Sequence, residues 1–402
     1  MSIQKISENK SKVLVLAFLA NPTCTNWIYG FKSLGYDVAV LNWSNSPATQ
    51  EQLNKWGFSN NDIPIFHFWD KFSETISQAV LNSLDGTPDI IFSWEGALIL
   101  EPLQKVSSYF PTAKVVHCVN TYPNAISNLS EVRMNSRYRK ANSLISGYIF
   151  YSETQQNLFS QKIPSASNKP YIAMIEPFFD RAFSSKKIAD ANVPRLERFD
   201  KNPHIIFTGR GNYLWSKPWT RFRRDALGLF LSKLAKRGIH IFLSSQADTK
   251  GLPNLHKYPN FSNEDIFEGR FSQYISQFDA HLVMYNEYNN IMRRWTSSGL
   301  STRFAYSLTA TAPIAVTKTS KFVEELWKDT PFGFTFTNTE DLAQSLYDKQ
   351  YLTLLSHNME KIHRSYSFES QSKRIAEFFN LFLKRDFDSV RNPESLRLEK
   401  LR

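Results

Sequence analysis

Strand-like and helix-like segments alternate along almost the whole chain, and this alternation restricts the fold more than any single residue. The run from Val13 to Leu19 is continuously apolar, as in a strand buried on both faces. Further strands are predicted from Asp37 to Trp43, Ile63 to Phe68, Asp89 to Trp94, Lys114 to Val119 and Tyr148 to Tyr151. Helical patterns separate them, from Asn26 to Ser33, Gln50 to Trp56, Lys71 to Ser83, Leu98 to Ser107, Ser130 to Ala141 and Glu153 to Gln161. Such a pattern with short loops predicts a parallel sheet covered by helices on both sides.

Residues 180–203 interrupt it. They are polar, carry Pro194 and Pro203, and read as an interdomain linker. A second series follows, with strands predicted from His204 to Phe207, Ile239 to Ser244, His281 to Tyr285, Ile314 to Thr317 and Phe334 to Thr337. Its helices are expected from Arg221 to Arg237, Ser272 to Gln277, Glu340 to Leu346 and Leu352 to Ile362, with one last amphipathic helix from Ser367 or Phe368 to about Leu383. The expected class is α/β, two Rossmann-like domains facing across a cleft. Residues 1–180 form the first, 181–203 the linker, 204–366 the second, 367–385 a helix crossing back, and 386–402 a charged tail.

A chain of 402 residues suits two domains, and 42% hydrophobic with 21% charged residues describes a soluble globular protein. The net charge of +11 favours anionic partners such as nucleotides or lipid headgroups. The basic clusters at 221–224 and Arg293-Arg294 sit in no nucleic-acid module, so nucleic acid is not an expected partner. Two cysteines, a polar amino terminus and no apolar run of ~20 residues lead to the expectation of a cytoplasmic protein. The eight histidines show no HxH or HExxH spacing, so no metal motif is read.

Ligands of such sheets bind at the carboxyl ends of the strands. In the second half, Ser297, Ser298, Gly299, Ser301 and Thr302 read as the start of a short helix after a polar loop. Free N–H groups there make an anion site, and Arg303 adds a charged fork; the plainer alternative is an ordinary capped core helix. The strand from His204 ends in TGRGN, where Gly209 lets the backbone approach a ligand and Arg210 can pair with a diphosphate. Lys217 follows seven residues on. Leu214 occupies the place of the third glycine, so this is no dinucleotide fingerprint, and a basic β-turn is the alternative. In the first half, Glu95 ends a strand and is a candidate acid, base or hydroxyl ligand, or simply a carboxylate complementing a helix dipole. His117, inside its strand, has the pattern of a core histidine, whereas Asn120 at that strand's end is better placed for a substrate.

Together these segments resemble GT-B glycosyltransferases, particularly the large retaining group often called family 4, over about residues 12–385. TGR at 208–210 looks like the family's glycine-arginine turn, with Lys217 in the partner lysine's role at a longer spacing. IFEGR at 266–270 looks like its short strand and glycine turn, which makes Gly269 a candidate donor contact. STRFAYSLTATAPIAVT places Arg303 where the family has a lysine and Pro313 on its proline. The family's two glutamates, eight apart, correspond here to Ser298 and Tyr306. The resemblance implies a GT-B fold and metal-independent, retaining transfer from a nucleoside-diphosphate sugar, with no permanently bound cofactor. The implied acceptor is a glycan or glycolipid, met near Glu95, His117 and Asn120, and peripheral contact with an anionic membrane is compatible. The missing glutamates motivate the alternative of a GT-B-like binding or scaffolding protein without activity.

Overall fold

The computed structural model describes residues 10–19, 22–58, 62–120, 122–123, 127–183, 193–209, 214–215, 225–285, 287, 290–299 and 302–383. Seven strands form one all-parallel sheet: β1 (Lys12–Ala17), β2 (Asp37–Trp43), β3 (Ile65–Phe68), β4 (Ile90–Glu95), β5 (Lys114–Val119), β6 (Ile145–Phe150) and β7 (Tyr171–Ala173). Their order is β3-β2-β1-β4-β5-β6-β7. The connecting helices are α1 (Pro22–Ser33), α2 (Gln50–Lys55), α3 (Glu74–Ser83), α4 (Leu100–Tyr109), α5 (Asn128–Ala141) and α6 (Glu153–Lys162). The unbroken apolar run of β1 follows from this burial. Val13, Val15 and Ala17 join the core on one face of the sheet, and Leu14 and Leu16 the core on the other.

The second sheet is also parallel, in the order β10-β9-β8-β11-β12-β13. Its strands are β8 (His204–Ile206), β9 (His240–Leu243), β10 (Leu255–Lys257), β11 (Ala280–Val283), β12 (Ile314–Thr317) and β13 (Gly333–Phe336). Its helices are α7 (Asp225–Ala235), α8 (Asn263–Phe267), α9 (Arg270–Ile275), α10 (Asn290–Ser298), α11 (Thr302–Thr309), α12 (Phe322–Leu326), α13 (Thr339–Tyr347) and α14 (Lys349–Ile362). A last helix, α15 (Phe368–Leu383), returns to the first sheet. One apolar cluster runs from Val15, Phe92 and Val116, through Met174 to Phe183 and α15, to Phe304, Leu308 and Ile314 of the second sheet's layer. Among the described residues no helix is long and apolar enough to cross a membrane.

Three expectations are corrected. The stretch around Arg293 and Arg294 is not a loop but the helix α10, and Ser297 and Ser298 close that helix rather than opening α11. Ile266 and Phe267 are the end of α8, not a strand. Ser262 caps that helix, its Oγ accepting from the Asp265 N–H while the Asp265 carboxylate accepts from the Ser262 N–H. The three-residue strands β7 and β10 have no counterpart in the sequence reading.

Two glycines admit α15. A Cβ at Gly30 would lie 2.2 Å from the Phe368 ring, and one at Gly147 2.4 Å from the Phe382 ring. Phe379 adds edge-to-face contact with Phe31 at 5.0 Å. Gly30→Ala should therefore overpack this joint and lower stability by about 1–3 kcal/mol in urea unfolding. An unchanged midpoint would show that Phe368 moves aside freely.

Candidate active site

Each sheet reverses its strand order once, between β1 and β4 in the first and between β8 and β11 in the second. Crevices at such switch points open at the carboxyl ends of the strands, and the charged groups of the site gather there.

On the second sheet, Arg303 lies in the first turn of α11. Its guanidinium sits over the Tyr285 ring at 4.7 Å and the Phe207 ring at 5.6 Å, and Nη1 donates to the Met284 carbonyl at 3.3 Å. Gly209 leaves room for it: a Cβ there would meet the Phe207 ring at 2.2 Å and Arg303 Nη1 at 3.0 Å. Among the described residues no carboxylate pairs with Arg303. His281 holds this corner together. Its Nε2 is 2.8 Å from Thr208 Oγ1 at the end of β8, and its Nδ1 is 2.5 Å from Ser307 Oγ on α11. Burial, with the Arg303 charge second, holds its pKa down at about 3, so the ring is neutral. Glu287, just past β11, accepts from Thr317 Oγ1 at 3.0 Å and from Thr319.

On the first sheet, Glu95 ends β4 beside Val119, with Asn120 next along the chain. Glu95 is largely buried, which raises its pKa against the opposing effect of the Gly96 N–H, 3.3 Å from Oε1. Sequence reasoning missed its neighbour Glu176. This residue is 3% exposed, on the segment that leaves β7. Thr302 Oγ1 of α11 donates to its Oε2 at 3.4 Å, the Thr23 and Tyr151 hydroxyls approach it, and Oε1 makes no hydrogen bond of good geometry. Burial outweighs these donors and lifts the Glu176 pKa to about 8, with the Glu95 charge adding to the rise. The buried thiols Cys24 and Cys118 are pushed up as well, by burial first. Glu95 and Glu176 thus lie beyond carboxyl ends of the first sheet's strands, and Arg303 at the carboxyl end of the second sheet.

The other expected site residues divide. Thr302 and Arg303 open α11, and Arg303 lies against Gly209 beyond the carboxyl end of β8. Ser298 is buried in the joint between the sheets, where its Oγ donates to the Tyr122 carbonyl at 3.0 Å, with the Arg294 carbonyl at the same distance, and its own carbonyl accepts from Ser152 Oγ. Tyr306 packs its ring edge-on against Phe178 at 5.7 Å and Phe271 at 5.6 Å. Gly269 precedes α9 at a φ of +77°, and a Cβ there would sit 2.5 Å from the Arg181 carbonyl oxygen. His117 is fully buried beside Tyr138 and Tyr148, with Nδ1 2.6 Å from Ser93 Oγ, and burial lowers its pKa to about 3. Arg210 and Lys217 lie outside the described residues.

Two facing parallel α/β domains with paired switch points constitute the GT-B fold. Similar solved structures include Anabaena Alr3699/HepE in complex with UDP and glucose, at a TM-score of 0.62 and 15% identity over 92% of this chain and 99% of that one. The pneumococcal O-GlcNAc transferase GtfA, in complex with UDP and GlcNAc, superposes at 0.63 with 9% identity over 94% and 100%. The trehalose-6-phosphate synthase OtsA does so at 0.56 with 10% identity over 92% and 99%. No protein-family model and no curated protein matches the sequence.

The carboxyl of Glu176 has a consequence that stability measurements can read. A pKa raised from 4.5 to about 8 means that the folded chain holds a proton which the unfolded chain releases. Stability from this group is present below pH 4.5 and is lost as pH rises towards 8, by up to about 1.4 kcal/mol per pH unit. Glu176→Gln should therefore match the wild type near pH 4.5 and gain on it steadily up to pH 8, as followed by thermal unfolding. A constant offset would place an ionised carboxylate there throughout.

Proposed function

We propose that the chain is a glycosyltransferase that moves a sugar from a nucleoside-diphosphate sugar to a glycan or glycolipid acceptor, with retention of configuration and no metal ion at the transfer site. The observation that carries this reading is Arg303, a cation without a described carboxylate partner. It stands at the switch point of the second sheet, beside a glycine and at a helix amino terminus. The complexes of the similar HepE and GtfA with UDP favour UDP as the leaving group.

In this reading the diphosphate lies against Arg303, Gly209 and the first turn of α11 at Thr302, with Arg210 and Lys217 as further candidate partners. The bond from the anomeric carbon to the diphosphate breaks, an acceptor hydroxyl oxygen bonds that carbon, and its proton leaves with the diphosphate. Arg303 and the helix dipole stabilise the negative charge as it develops. Glu95 and Asn120 orient the acceptor hydroxyl from the first sheet, and Glu176, protonated near neutrality, holds Thr302 at the seam. Ser298 and Gly269 act through position, one in the joint and the other under the crossing chain, and the Tyr306 ring forms the floor of the donor side. His117 supports β5 from within the core.

One observation favours a second reading, a nucleotide-binding protein without turnover. Ser298 and Tyr306, where the resembling family carries glutamates, are occupied by packing and by the joint. Calorimetric titration with UDP, GDP and ADP tests the first requirement of both readings. UDP should bind, and Arg303→Ala should weaken it ten- to a hundred-fold, by about 1.5–3 kcal/mol for a charged hydrogen bond. Turnover of UDP-sugars in the presence of glycan acceptors then separates transferase from binder. A folded protein that binds none of the three nucleotides refutes both.

A further inference from the structure

A second cluster of chemistry-bearing side chains sits at the amino edge of the second sheet, the end away from Gly209 and Arg303. His204 opens β8 and His240 opens β9, and the two are direct partners across the ladder. Their rings stack with centroids 4.4 Å apart. Asp200 lies on the segment that leads into β8, and His256 is in β10. His240 Nδ1 is 2.9 Å from His256 Nε2, and His240 Nε2 is 3.2 Å from Asp200 Oδ1. His240 is only 4% exposed, yet its Nε2 makes no hydrogen bond of good geometry. One ligand-capable atom each of Asp200, His204 and His240 lies within 4.8 Å of the others.

We propose that Asp200, His204 and His240 form a binding site for a divalent cation of the zinc class. Two imidazoles and a carboxylate are the donor set of zinc, cobalt or nickel rather than of magnesium or calcium, which take oxygen. Around tetrahedral zinc, with bonds of about 2.0–2.1 Å, neighbouring ligand atoms stand about 3.3 Å apart. His240 Nε2 and Asp200 Oδ1 already have that separation without a good mutual hydrogen bond, which is the geometry of two ligands sharing an ion. With Nε2 on the metal, His240 Nδ1–H donates to His256 Nε2, the outer contact that fixes the tautomer of a ligating imidazole. The Asp200 carboxylate is oriented by the Asn202 N–H and side-chain amide, both at 2.7 Å. His204 gives up one contact on binding, since its Nδ1 faces the Asn202 carbonyl at 2.8 Å and its Nε2 accepts from the Phe199 N–H at 3.1 Å. The half-exposed side of Asp200 leaves a fourth position to water.

The ligands come from two places in the chain, Asp200 and His204 four residues apart and His240 36 residues further on, which is why no sequence spacing announces the set. At the end of the sheet remote from the cleft, the ion pins residues 199–204 onto the edge of the second sheet. Its role is structural and separate from sugar transfer.

The test uses the full chain, stripped with a chelator and titrated with Zn²⁺ and, in parallel, Co²⁺ and Mg²⁺. One equivalent of Zn²⁺ should bind and raise the melting temperature, Co²⁺ should give the intense visible bands of a tetrahedral site, and Mg²⁺ should do neither. Asp200→Asn, on an exposed side chain that leaves the fold intact, should weaken Zn²⁺ at least ten-fold. His240→Gln, checked for folding by circular dichroism, should abolish the site. A folded wild type that takes up no stoichiometric Zn²⁺ would overturn the proposal. So would uptake that is unchanged in both variants, which would assign the ion to the thiols Cys24 and Cys118 or to the surface.

Discussion

Two chain crossings, hydrogen-bonded to each other, join the layers of the two sheets. The segment that leaves β7 and the segment that enters α15 pair in parallel at Phe178 and Ser367, the Phe368 N–H donates to the Phe178 carbonyl at 2.6 Å, and the Asp180 N–H donates to Glu369 Oε2 at 2.9 Å. Phe368 then drops onto Gly30 and anchors the returning helix on the first sheet. A second seam lies at the amino end of α6. There Glu325 accepts from the Glu153 N–H at 3.2 Å and from Thr154, Arg294 pairs with Glu131, and Ser298 bonds Tyr122 and Ser152.

The charge distribution follows from that placement. Glu176 rides on the first crossing, and the crossing buries it, so its carboxyl reaches neutrality still protonated. A neutral acid accepts from Thr302 without adding a negative charge beside Glu95. Arg303, one residue on, is supported by two aromatic faces and a carbonyl, and among the described residues no carboxylate pairs with it. Its charge therefore remains available to an incoming anion. His281, neutral and hydrogen-bonded on both nitrogens, fixes the helix that carries it without adding a competing charge.

Local pattern revealed most of this architecture, because buried parallel strands and amphipathic helices write their periods directly into the chain. The positions of Gly209, Thr302, Arg303, Glu95 and Asn120 at strand ends or a helix start were legible, because the strand and helix periods place those ends directly. The failures were tertiary. The helix α10 reads as a polar loop because what fixes it is distant, Arg294 meeting Glu131 163 residues away and Ser298 meeting Tyr122 176 residues away. The strands β7 and β10 are too short to show a period. Glu176 carries no local signal in MIEPFF, since its character comes from burial against Thr302, 126 positions on. The three ligands at the amino edge are invisible for the same reason.

The central claim is that a nucleoside diphosphate binds at the carboxyl edge of the second sheet, against Gly209 and the first turn of α11. Amide hydrogen exchange with and without saturating UDP tests it most directly. The account predicts added protection concentrated at residues 207–209, 284–287 and 302–306, with the amino edge at His204 and His240 unchanged. Protection confined to the first sheet, or none at concentrations that saturate binding, would contradict it.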